Sequence, residues 1–483
     1  MKRMQAAVAA TLVGTAGMCF ASLESWIDAC ERELDAMHGF VLLQHGEVLA
    51  EGTWKPYDTL NGTHRLYSHS KSFTSSAVGF LVDDGKLDLD ERVIDILPDK
   101  APANPSDNLK ALRVRDLLTM NVGAAKTDAE SNDADGDWEK AFLANTIDVC
   151  PGTRFRYDSG ATYTLAAIVE RRSGRKMMDL LQERMFGPLG IVKAWTTYSP
   201  SGTPCGGWGM NMTTRELSKF GQLYLQKGLW NGRRILSEEW VTLATSRQTW
   251  SGAIAVTGED GSDWHQGYGF QFWRCRHGFY RADGANGQYT IVMPQYDAVL
   301  SIHAGLGDMQ KEIDLVWEHI VPMLAKGERP GAAAKARCAS LELPTVKGAR
   351  EGAERYCGRD YPLEANSKGL KSVRLEAAAD GWSCRVATET GVYALPIGYG
   401  VWKRGNIRFT DKPHEPLGAI VGDQPTAGSG AVLANGAFSV RAWLTEGPQK
   451  FDFTFAETNG VPFVSGRLSG IGGCRRLSGT AQK

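Results

Sequence analysis

The amino-acid sequence predicts an α+β domain followed by an all-β module, and the order of its segments supports this. Strand-like segments lie near the start of the chain and again between residues 268 and 302, with a mainly helical stretch between them. That order is typical of one sheet assembled from both ends of a domain, with helices inserted. From residue 338 onward, short alternating segments separated by Gly, Asn and Asp turns replace the helical pattern.

The first domain, called the N-terminal domain below, is predicted to span residues 22–326. Ser22 is a suitable N-cap for a helix that begins at Leu23. Residues 39–50 are predicted to form two strands around a turn at His45-Gly46.

A long helical run over residues 66–82 is crowded with small side chains, which is typical of a helix buried between close neighbours. The Asp-Asp-Gly sequence at 83–85 ends this helix. The other predicted elements are helices over 109–120 and 163–172, strands over 268–273, 289–293 and 298–302, and a helix over 309–324.

The ends of the chain have a different character. Residues 327–337 are predicted to be a linker, and residues 338–483, called the β-module below, to form a small barrel or sandwich. Residues 1–21 have the layout of a secretory signal, or form an N-terminal extension that leads into the first helix. Localisation stays open between the two, with the cysteine pattern favouring the cytoplasm.

Composition and charge exclude several classes of function. The 483 residues carry a net charge of −1, which gives no electrostatic reason to expect nucleic acid or an anionic membrane as partner. No run of about 20 apolar residues predicts a membrane span. The nine cysteines are scattered singly without a C-x-x-C pair, so we expect buried thiols and predict no metal site and no cofactor.

Ser68 and Lys71 form the first candidate for chemistry. A serine at the start of a helix with a lysine three residues later places both side chains on one face. A lysine in a dry pocket loses proton affinity and can take the proton of the serine hydroxyl. The S-x-x-K pattern alone is common, and the second copy, Ser173 to Lys176, is predicted to be a surface turn that ends a helix.

Two further segments are candidates, each with a structural alternative. Tyr157, in the Tyr-Asp-Ser sequence that ends at Ser159, could share a proton relay with Lys71, or could be a half-buried tyrosine before a turn. The segment that contains Asp283, Gly284 and Ala285 leads into a strand. It could bring the backbone N–H of Ala285 to an oxyanion, or be a plain β-turn.

Together these segments resemble the serine β-lactamase-related hydrolases, over about residues 20 to 325. This family includes class C β-lactamases, D-amino-acid peptidases, family VIII carboxylesterases and nylon-oligomer amidases. The order S-x-x-K, Y-x-S and glycine-bearing strand edge carries the resemblance, together with the surrounding residues 66–75, 117–120 and 155–163. The resemblance implies a β-lactamase/transpeptidase-like fold, an antiparallel sheet with a helical insertion, and a β-rich C-terminal extension of the kind that some members carry.

The resemblance also implies roles for the candidate residues. Ser68 would be the acylated nucleophile, Lys71 its proton acceptor, and Tyr157 the group that passes protons to the leaving group. The backbone N–H groups of Ser68 and Ala285 would form the oxyanion hole. The Asn that is usual in the second element is Ser159 here, a substitution also found among the esterases and amidases of the family.

The third element departs from the family pattern in a way that bears on substrate. It normally begins with Lys or His, but here it is Ala282-Asp283-Gly284. Arg281 precedes the position by one residue and on a strand would face the opposite side. Without the cation, and with the negative charge of Asp283 nearby, a neutral ester or amide is a better substrate than an anionic β-lactam.

The sequence therefore predicts a serine hydrolase that acts on a small ester or amide. A β-lactamase or D-stereospecific peptidase is one alternative, and a catalytically silent binding protein with the same fold is another. The sequence does not indicate an oligomeric state.

Overall fold

A computed structural model of the chain describes residues 21–125, 136–252, 261–366, 369–410, 420, 422–469 and 475–481. The signal-like segment predicted over residues 1–21 lies outside these ranges, apart from Ala21. In the described part of the chain, no helix is long and apolar enough to cross a membrane.

The N-terminal domain is built around a six-stranded antiparallel sheet with the order β2-β1-β10-β9-β8-β7. Two of its strands come from the start of the domain and four from its end, as the order of segments predicted. Two short pairs, β3 with β4 and β5 with β6, lie outside this sheet. The strands are β1 (Met37–Gln44), β2 (Glu47–Thr53), β3 (His64–Arg65), β4 (Asn211–Met212), β5 (Leu229–Trp230), β6 (Arg233–Arg234), β7 (Trp273–Arg274), β8 (Tyr280–Gly284), β9 (Gln288–Met293) and β10 (Ala298–Ala304).

Helices cover both faces of this sheet. The helices of the chain are α1 (Leu23–Glu33), α2 (Ser70–Asp83), α3 (Val93–Ile96), α4 (Asp107–Ala111), α5 (Val114–Leu118), α6 (Trp138–Leu143), α7 (Ser159–Ser173), α8 (Met177–Leu181), α9 (Gly187–Leu189), α10 (Thr214–Leu225), α11 (Glu238–Thr245), α12 (Met309–Leu315), α13 (Val321–Ala325) and α14 (Ala332–Cys338). On strand β1, Phe40 and Leu42 pack into the core with α1, α12 and α13, whereas Val41 and Leu43 pack into the core with α2, α7 and α10. All eight residues of β1 are buried, since both of its faces are covered.

The helix predicted to begin at Leu23 is present as α1, with Ser22 as its N-cap. Ser22 caps α1 through a reciprocal pair of hydrogen bonds with Ser25. The β1–β2 turn falls at His45-Gly46, where both residues have positive φ, as two-residue hairpin turns require.

Helix α2 lies at the centre of the domain, as its small side chains predicted. Residues 70–81 are all buried, and neighbouring segments approach the helix closely. A Cβ atom on Gly79 would lie 2.5 Å from the indole nitrogen of Trp240, so this position has no room for a side chain.

Two predicted elements differ in the structure. Residues 109–120 form two helices, α4 and α5, because Leu112 and Arg113 are extended and the Asp116 carboxylate caps the second helix at the N–H of Arg113. The strand predicted over 268–273 is reduced to β7. Gln271 has a φ of 67°, which breaks the extended backbone, and its side-chain amide donates to the carbonyls of Leu117 and Leu118.

The β-module is one continuous sheet that curls into a barrel-like form, with the order β11-β12-β13-β14-β16-β17-β18-β19-β20 and β15 paired to β16. The N–H of Glu364, just after β11, donates to Ser478 in β20 and brings the two ends together. The strands are β11 (Asp360–Pro362), β12 (Ser372–Ala378), β13 (Gly381–Ala387), β14 (Val392–Gly398), β15 (Lys403–Arg408), β16 (Asp423–Val432), β17 (Phe438–Leu444), β18 (Lys450–Thr458), β19 (Val461–Ser469) and β20 (Arg475–Thr480).

Part of the predicted linker, residues 327–337, is helical. Helix α14 begins at Ala332, where three consecutive alanines favour a helix. Ala334 and Cys338 on this helix are buried against the N-terminal domain. The thiols of Cys30, Cys205, Cys275 and Cys384 are also buried, whereas Cys150 is exposed and Cys357 is half-buried.

Candidate active site

Ser68 lies in a short 3-10 turn, Tyr67–His69, that leads directly into α2. The sequence predicted Ser68 in the first turn of the helix itself, and the structure places it just before that turn. Tyr67 has a φ of 49°, a left-handed conformation that is rare for a residue other than glycine. This bend turns the chain from β3 into α2 at the serine.

Lys71 is buried beside Ser68, with 1% of its surface exposed. Its Nζ lies 3.0 Å from Ser68 Oγ, 3.0 Å from Ser159 Oγ and 2.7 Å from the carbonyl oxygen of Gly207. The same nitrogen lies 4.8 Å from the centre of the Tyr157 ring. The structure therefore brings together the first and second segments that the sequence singled out.

The second segment combines a half-buried tyrosine with a helix cap. Asp158 is the N-cap of α7, and its carboxylate accepts from the N–H groups of Gly160 and Ala161. This cap makes Ser159 the first residue of the helix and directs its hydroxyl to Lys71. The structural alternative, a turn formed by Asp158, is thus compatible with a place for Tyr157 and Ser159 at the site.

Tyr157 is fixed against Trp273 of β7, with ring centres 5.5 Å apart in a stacked arrangement. Burial raises the pKa of Tyr157 above its ordinary value, and a hydrogen bond with Ser68 opposes that rise. The phenol consequently keeps its proton at neutral pH.

The third segment, at the end of β8, lies against the turn that contains Ser68. A Cβ atom on Gly284, the last residue of β8, would lie 2.0 Å from the carbonyl oxygen of Leu66 and 3.1 Å from the amide nitrogen of His69. Only a glycine allows the strand to approach the Ser68 turn this closely. Ala285 follows immediately and is partly exposed.

Arg281 and Asp283 form an ion pair inside the domain, next to this edge. Nη2 of Arg281 lies 2.8 Å from Asp283 Oδ2, and the guanidinium packs against the ring of Trp264 at 4.6 Å. Arg281 is fully buried, and Asp283 is 7% exposed. Burial raises the pKa of the Asp283 carboxyl, while the charges of Arg281 and Lys71 oppose the rise.

The second S-x-x-K sequence and His69 make contacts that stabilise the fold. The second S-x-x-K sequence lies on the surface, where Gly174 ends α7 and Lys176 pairs with Glu170. His69 is buried and shares a hydrogen bond with Thr290. Across the ranges that the structure describes, no group of three or more His, Cys, Asp or Glu side chains could hold a metal ion.

Sequence reasoning missed two neighbours of the site. The Gly207 carbonyl, an acceptor for Lys71, belongs to no motif, because any residue supplies a carbonyl. Trp273, which stacks on Tyr157, lies more than 100 residues further along the chain, and no local pattern connects the two.

Comparison with known proteins identifies the family that this arrangement belongs to. The family model named beta-lactamase matches residues 27–313, more than half of the chain. The chain belongs to the beta-lactamase family. It is a hydrolase of the serine beta-lactamase type, and the antiparallel sheet with its helical insertion is the fold that the resemblance implied.

Individual relatives agree with this assignment. The chain is 26% identical over 282 residues to a 6-aminohexanoate-dimer hydrolase of Paenarthrobacter ureafaciens, covering 54% of this chain and 70% of that protein. It is 28% identical over 294 residues to penicillin-binding protein 4 of Amycolatopsis lactamdurans, covering 53% and 75%. The crystal structure of a penicillin-binding protein homologue from Caulobacter crescentus has a similar fold, with a TM-score of 0.50 at 16% identity over 62% of this chain and 96% of that one.

Proposed function

We propose that this beta-lactamase-family hydrolase cleaves neutral carboxylic esters or amides through an acyl-enzyme on Ser68. The observation that carries the proposal is the position of Lys71 Nζ, buried and within 3.0 Å of the Ser68 hydroxyl. A serine hydroxyl becomes nucleophilic when a base within hydrogen-bond distance can take its proton.

Acylation follows from the hydrogen bonds of Lys71. A neutral lysine has two N–H bonds and one lone pair. When the two N–H bonds point to Ser159 Oγ and the Gly207 carbonyl, the lone pair faces the hydroxyl of Ser68. Ser68 Oγ then attacks the substrate carbonyl carbon, and its proton passes to Lys71 Nζ.

The remaining steps use the backbone and Tyr157. The oxyanion would be held by the N–H groups of Ser68 and Ala285, since Gly284 lets the end of β8 approach the turn that contains Ser68. The proton on Lys71 would pass through the Tyr157 hydroxyl to the leaving oxygen or nitrogen as the scissile bond breaks. In deacylation a water molecule attacks the acyl carbon and gives its proton to Lys71 and Tyr157. The bond between the acyl carbon and Ser68 Oγ then breaks, the same pair returns a proton to Ser68 Oγ, and the carboxylic acid leaves. Because Tyr157 is a neutral phenol, it serves as a proton relay rather than as a phenolate base.

The choice of a neutral substrate rests on the third segment. Ala282 stands where the family has a cation, and the charge of Arg281 is already paired with Asp283 and buried. Both side chains are buried in this pair, so neither is available to bind a substrate carboxylate. The amide-cleaving relative, the 6-aminohexanoate-dimer hydrolase, supports an amide or ester substrate. The penicillin-binding relative is the reason to keep a β-lactam or D-peptide as the second candidate.

Labelling with a fluorophosphonate probe, followed by peptide mass spectrometry, tests the nucleophile. We expect one adduct on Ser68, lost in Lys71→Ala and retained in the matched control Lys176→Ala, which alters the second S-x-x-K sequence. An adduct on another serine would show that the assignment is wrong, and no adduct would favour the silent binding protein.

Substrate preference is tested on the same enzyme. We expect faster turnover of 4-nitrophenyl esters than of nitrocefin, and loss of the ester activity in Ser68→Ala. Nitrocefin hydrolysis as fast as ester hydrolysis would contradict the neutral-substrate proposal and favour a β-lactamase.

A further inference from the structure

A loop of the β-module packs against the residues that precede Ser68. This segment, Thr445–Gln449, joins β17 to β18 and is called the 445–449 loop. Gln449 Nε2 donates to the hydroxyl of Tyr67 at 2.5 Å, and the backbone N–H of Arg65 donates to the carbonyl of Glu446 at 3.0 Å. Tyr67 is 1% exposed and Gln449 is 4% exposed, so their contact is inside the protein.

The loop is held in place by further contacts with the N-terminal domain. The hydroxyl of Tyr57 donates to the carbonyl of Gly447 at 3.1 Å. Trp443, at the end of β17, belongs to the core of the N-terminal domain and lies edge-on to His38 and Tyr57, with ring centres 5.8 and 5.9 Å away. The two domains therefore share one packed interface at the base of the loop.

Tyr67 is the residue through which this interface can act on chemistry. Its left-handed conformation is unfavourable for a tyrosine and persists only where the surroundings hold it. Tyr67 immediately precedes Ser68, so the φ and ψ of Tyr67 set the direction of the Ser68 side chain toward Lys71. The hydrogen bond from Gln449 fixes the far end of the Tyr67 ring.

We propose that the β-module is a working part of the active site, and that Gln449 is a positioning residue that acts through Tyr67 to hold the Ser68 turn in its reactive geometry. This inference rests on the proposed function, in which Ser68 is the nucleophile. The contact is made to the neighbour of the nucleophile, so its loss lowers the rate of acylation more than the affinity for substrate.

Three variants test the inference: Gln449→Leu, Tyr67→Phe and the double variant. The readouts are the second-order rate constant for fluorophosphonate labelling of Ser68, kcat and KM for an aryl ester, and the Tm. We expect each single variant to lower the labelling rate and kcat about tenfold, with KM within about twofold of the parent. The double variant should be no slower than the slower single variant, because both remove the same hydrogen bond.

A matched control separates this effect from general weakening of the β-module. The hydroxyl of Tyr356 donates to the carbonyl of Gly436 at 3.0 Å, wholly within the β-module. Tyr356→Phe therefore removes a comparable tyrosine hydrogen bond, and we expect it to leave the labelling rate unchanged.

Several outcomes would overturn the inference. Labelling at the parent rate in Gln449→Leu, whatever its Tm, would mean that the contact is only structural. If the fold-loss of labelling rate in the double variant equals the product of the two single losses, the two residues act separately. Should Gln449→Leu fail to fold, Tyr67→Phe decides the question, because it removes only a hydroxyl. Absence of a Ser68 adduct in the parent enzyme would instead refute the proposed function, and this inference with it.

Discussion

The N-terminal domain and the β-module bury different kinds of side chain. Around the central sheet of the N-terminal domain, charged or titratable groups lie in the interior, among them Lys71, Arg281, Asp283, Glu312 and four histidines at positions 38, 64, 69 and 303. In the β-module the core is aromatic and aliphatic, and none of the Asp, Glu, Lys, Arg or His residues that the structure describes there is buried.

This difference indicates where the molecule trades stability for chemistry. Removing a charged group from water is costly unless partners replace the lost solvation. A domain selected for stability alone has no reason to retain such groups, and the β-module shows that this chain can build a core without them. Among these buried groups, Lys71 lies 3.0 Å from Ser68, where the proposed reaction needs a proton acceptor, and the Arg281–Asp283 pair lies on strand β8.

The largest expected effect comes from removing the buried amine. Lys71→Met keeps a similar length of side chain but takes away the proton acceptor, so we expect kcat/KM for an aryl ester to fall by at least about 10⁴-fold. In the β-module, Lys403 pairs with Asp380 at the surface, and Lys403→Met should leave kcat/KM unchanged. Ester hydrolysis and the Tm are measured for both variants. A Lys71→Met enzyme with more than a hundredth of the parent activity would remove Lys71 from the mechanism.

Much of the fold could be predicted from local pattern. The alternation of apolar and polar residues over β17 and β18 predicted strands. In the structure, most of the alternate side chains in these strands point into the barrel-like core. The two failures, in residues 109–120 and 268–273, have different causes. In the first the cause is local, because the Asp116 carboxylate caps the second helix at the N–H of Arg113, a contact that periodicity does not represent. In the second it is tertiary, because the left-handed Gln271 donates from its side chain to the distant carbonyl of Leu117.

The contacts of the site also divide into a local one, which the sequence predicts, and long-range ones, which local pattern does not predict. Ser68 and Lys71 lie one helical turn apart, so their contact could be predicted from spacing. Their meeting with Tyr157 and Gly284 depends on the path of the whole sheet, and only the family resemblance indicated it. The contact between Gln449 and Tyr67 joins residues almost 400 positions apart and leaves no trace in a local pattern.

The next largest effect compares a buried ion pair in the N-terminal domain with a partly exposed ion pair in the β-module. Arg281→Met would leave the Asp283 carboxyl buried beside Lys71 without its main partner. Removing one member of a buried pair typically costs about 3–5 kcal/mol of unfolding free energy, because an uncompensated charge remains. We expect urea unfolding of the N-terminal domain to show a loss of that size.

Arg441 and Asp452 provide the comparison in the β-module. They are 2.7 Å apart, but about a third of each side chain is exposed, so solvent screens the pair. Arg441→Met should cost less than about 1 kcal/mol. Equal losses in the two variants would contradict the distinction between the domains.

A smaller effect compares a closely packed glycine at the active site with a closely packed glycine in the β-module. Gly284→Ala would force β8 away from the Leu66 carbonyl and displace Ala285 from Ser68, and we expect kcat/KM to fall about 100-fold. Gly430 in the β-module is also crowded, though less than Gly284, since a Cβ atom there would lie 2.8 Å from the Ile397 side chain. Gly430→Ala should lower the unfolding free energy by about 1–3 kcal/mol and leave the activity of the folded protein unchanged. Activity assays below the Tm of each variant check both expectations.

The last prediction compares how the stability of the N-terminal domain and that of the β-module depend on pH. Burial lowers the pKa of His64 and of His69 to about 3, and lowers those of His38 and His303 well below the ordinary value. Between pH 6.5 and about 3 the unfolded chain therefore binds protons at His64 and His69 that the folded domain does not. The stability of the domain must fall as the pH falls through this window, with a slope that approaches about 1.4 kcal/mol per pH unit for each of these two histidines. His38 and His303 contribute in the same direction.

Three buried carboxyls act in the opposite direction and make a single-residue variant necessary. Burial raises the pKa of Glu312, of Asp283 and of Asp116, so these carboxyls favour the folded state as the pH falls, and the measured slope is the difference between the histidines and the carboxyls. His69→Gln removes one histidine and should reduce the loss of stability between pH 7 and pH 5, measured by urea unfolding, by about 2 kcal/mol in total. None of the Asp, Glu, Lys, Arg or His residues that the structure describes in the β-module is buried, so its own unfolding transition should change less over the same range. A shift of both transitions together would mean that the shared interface at Trp443 makes the two domains unfold as one unit.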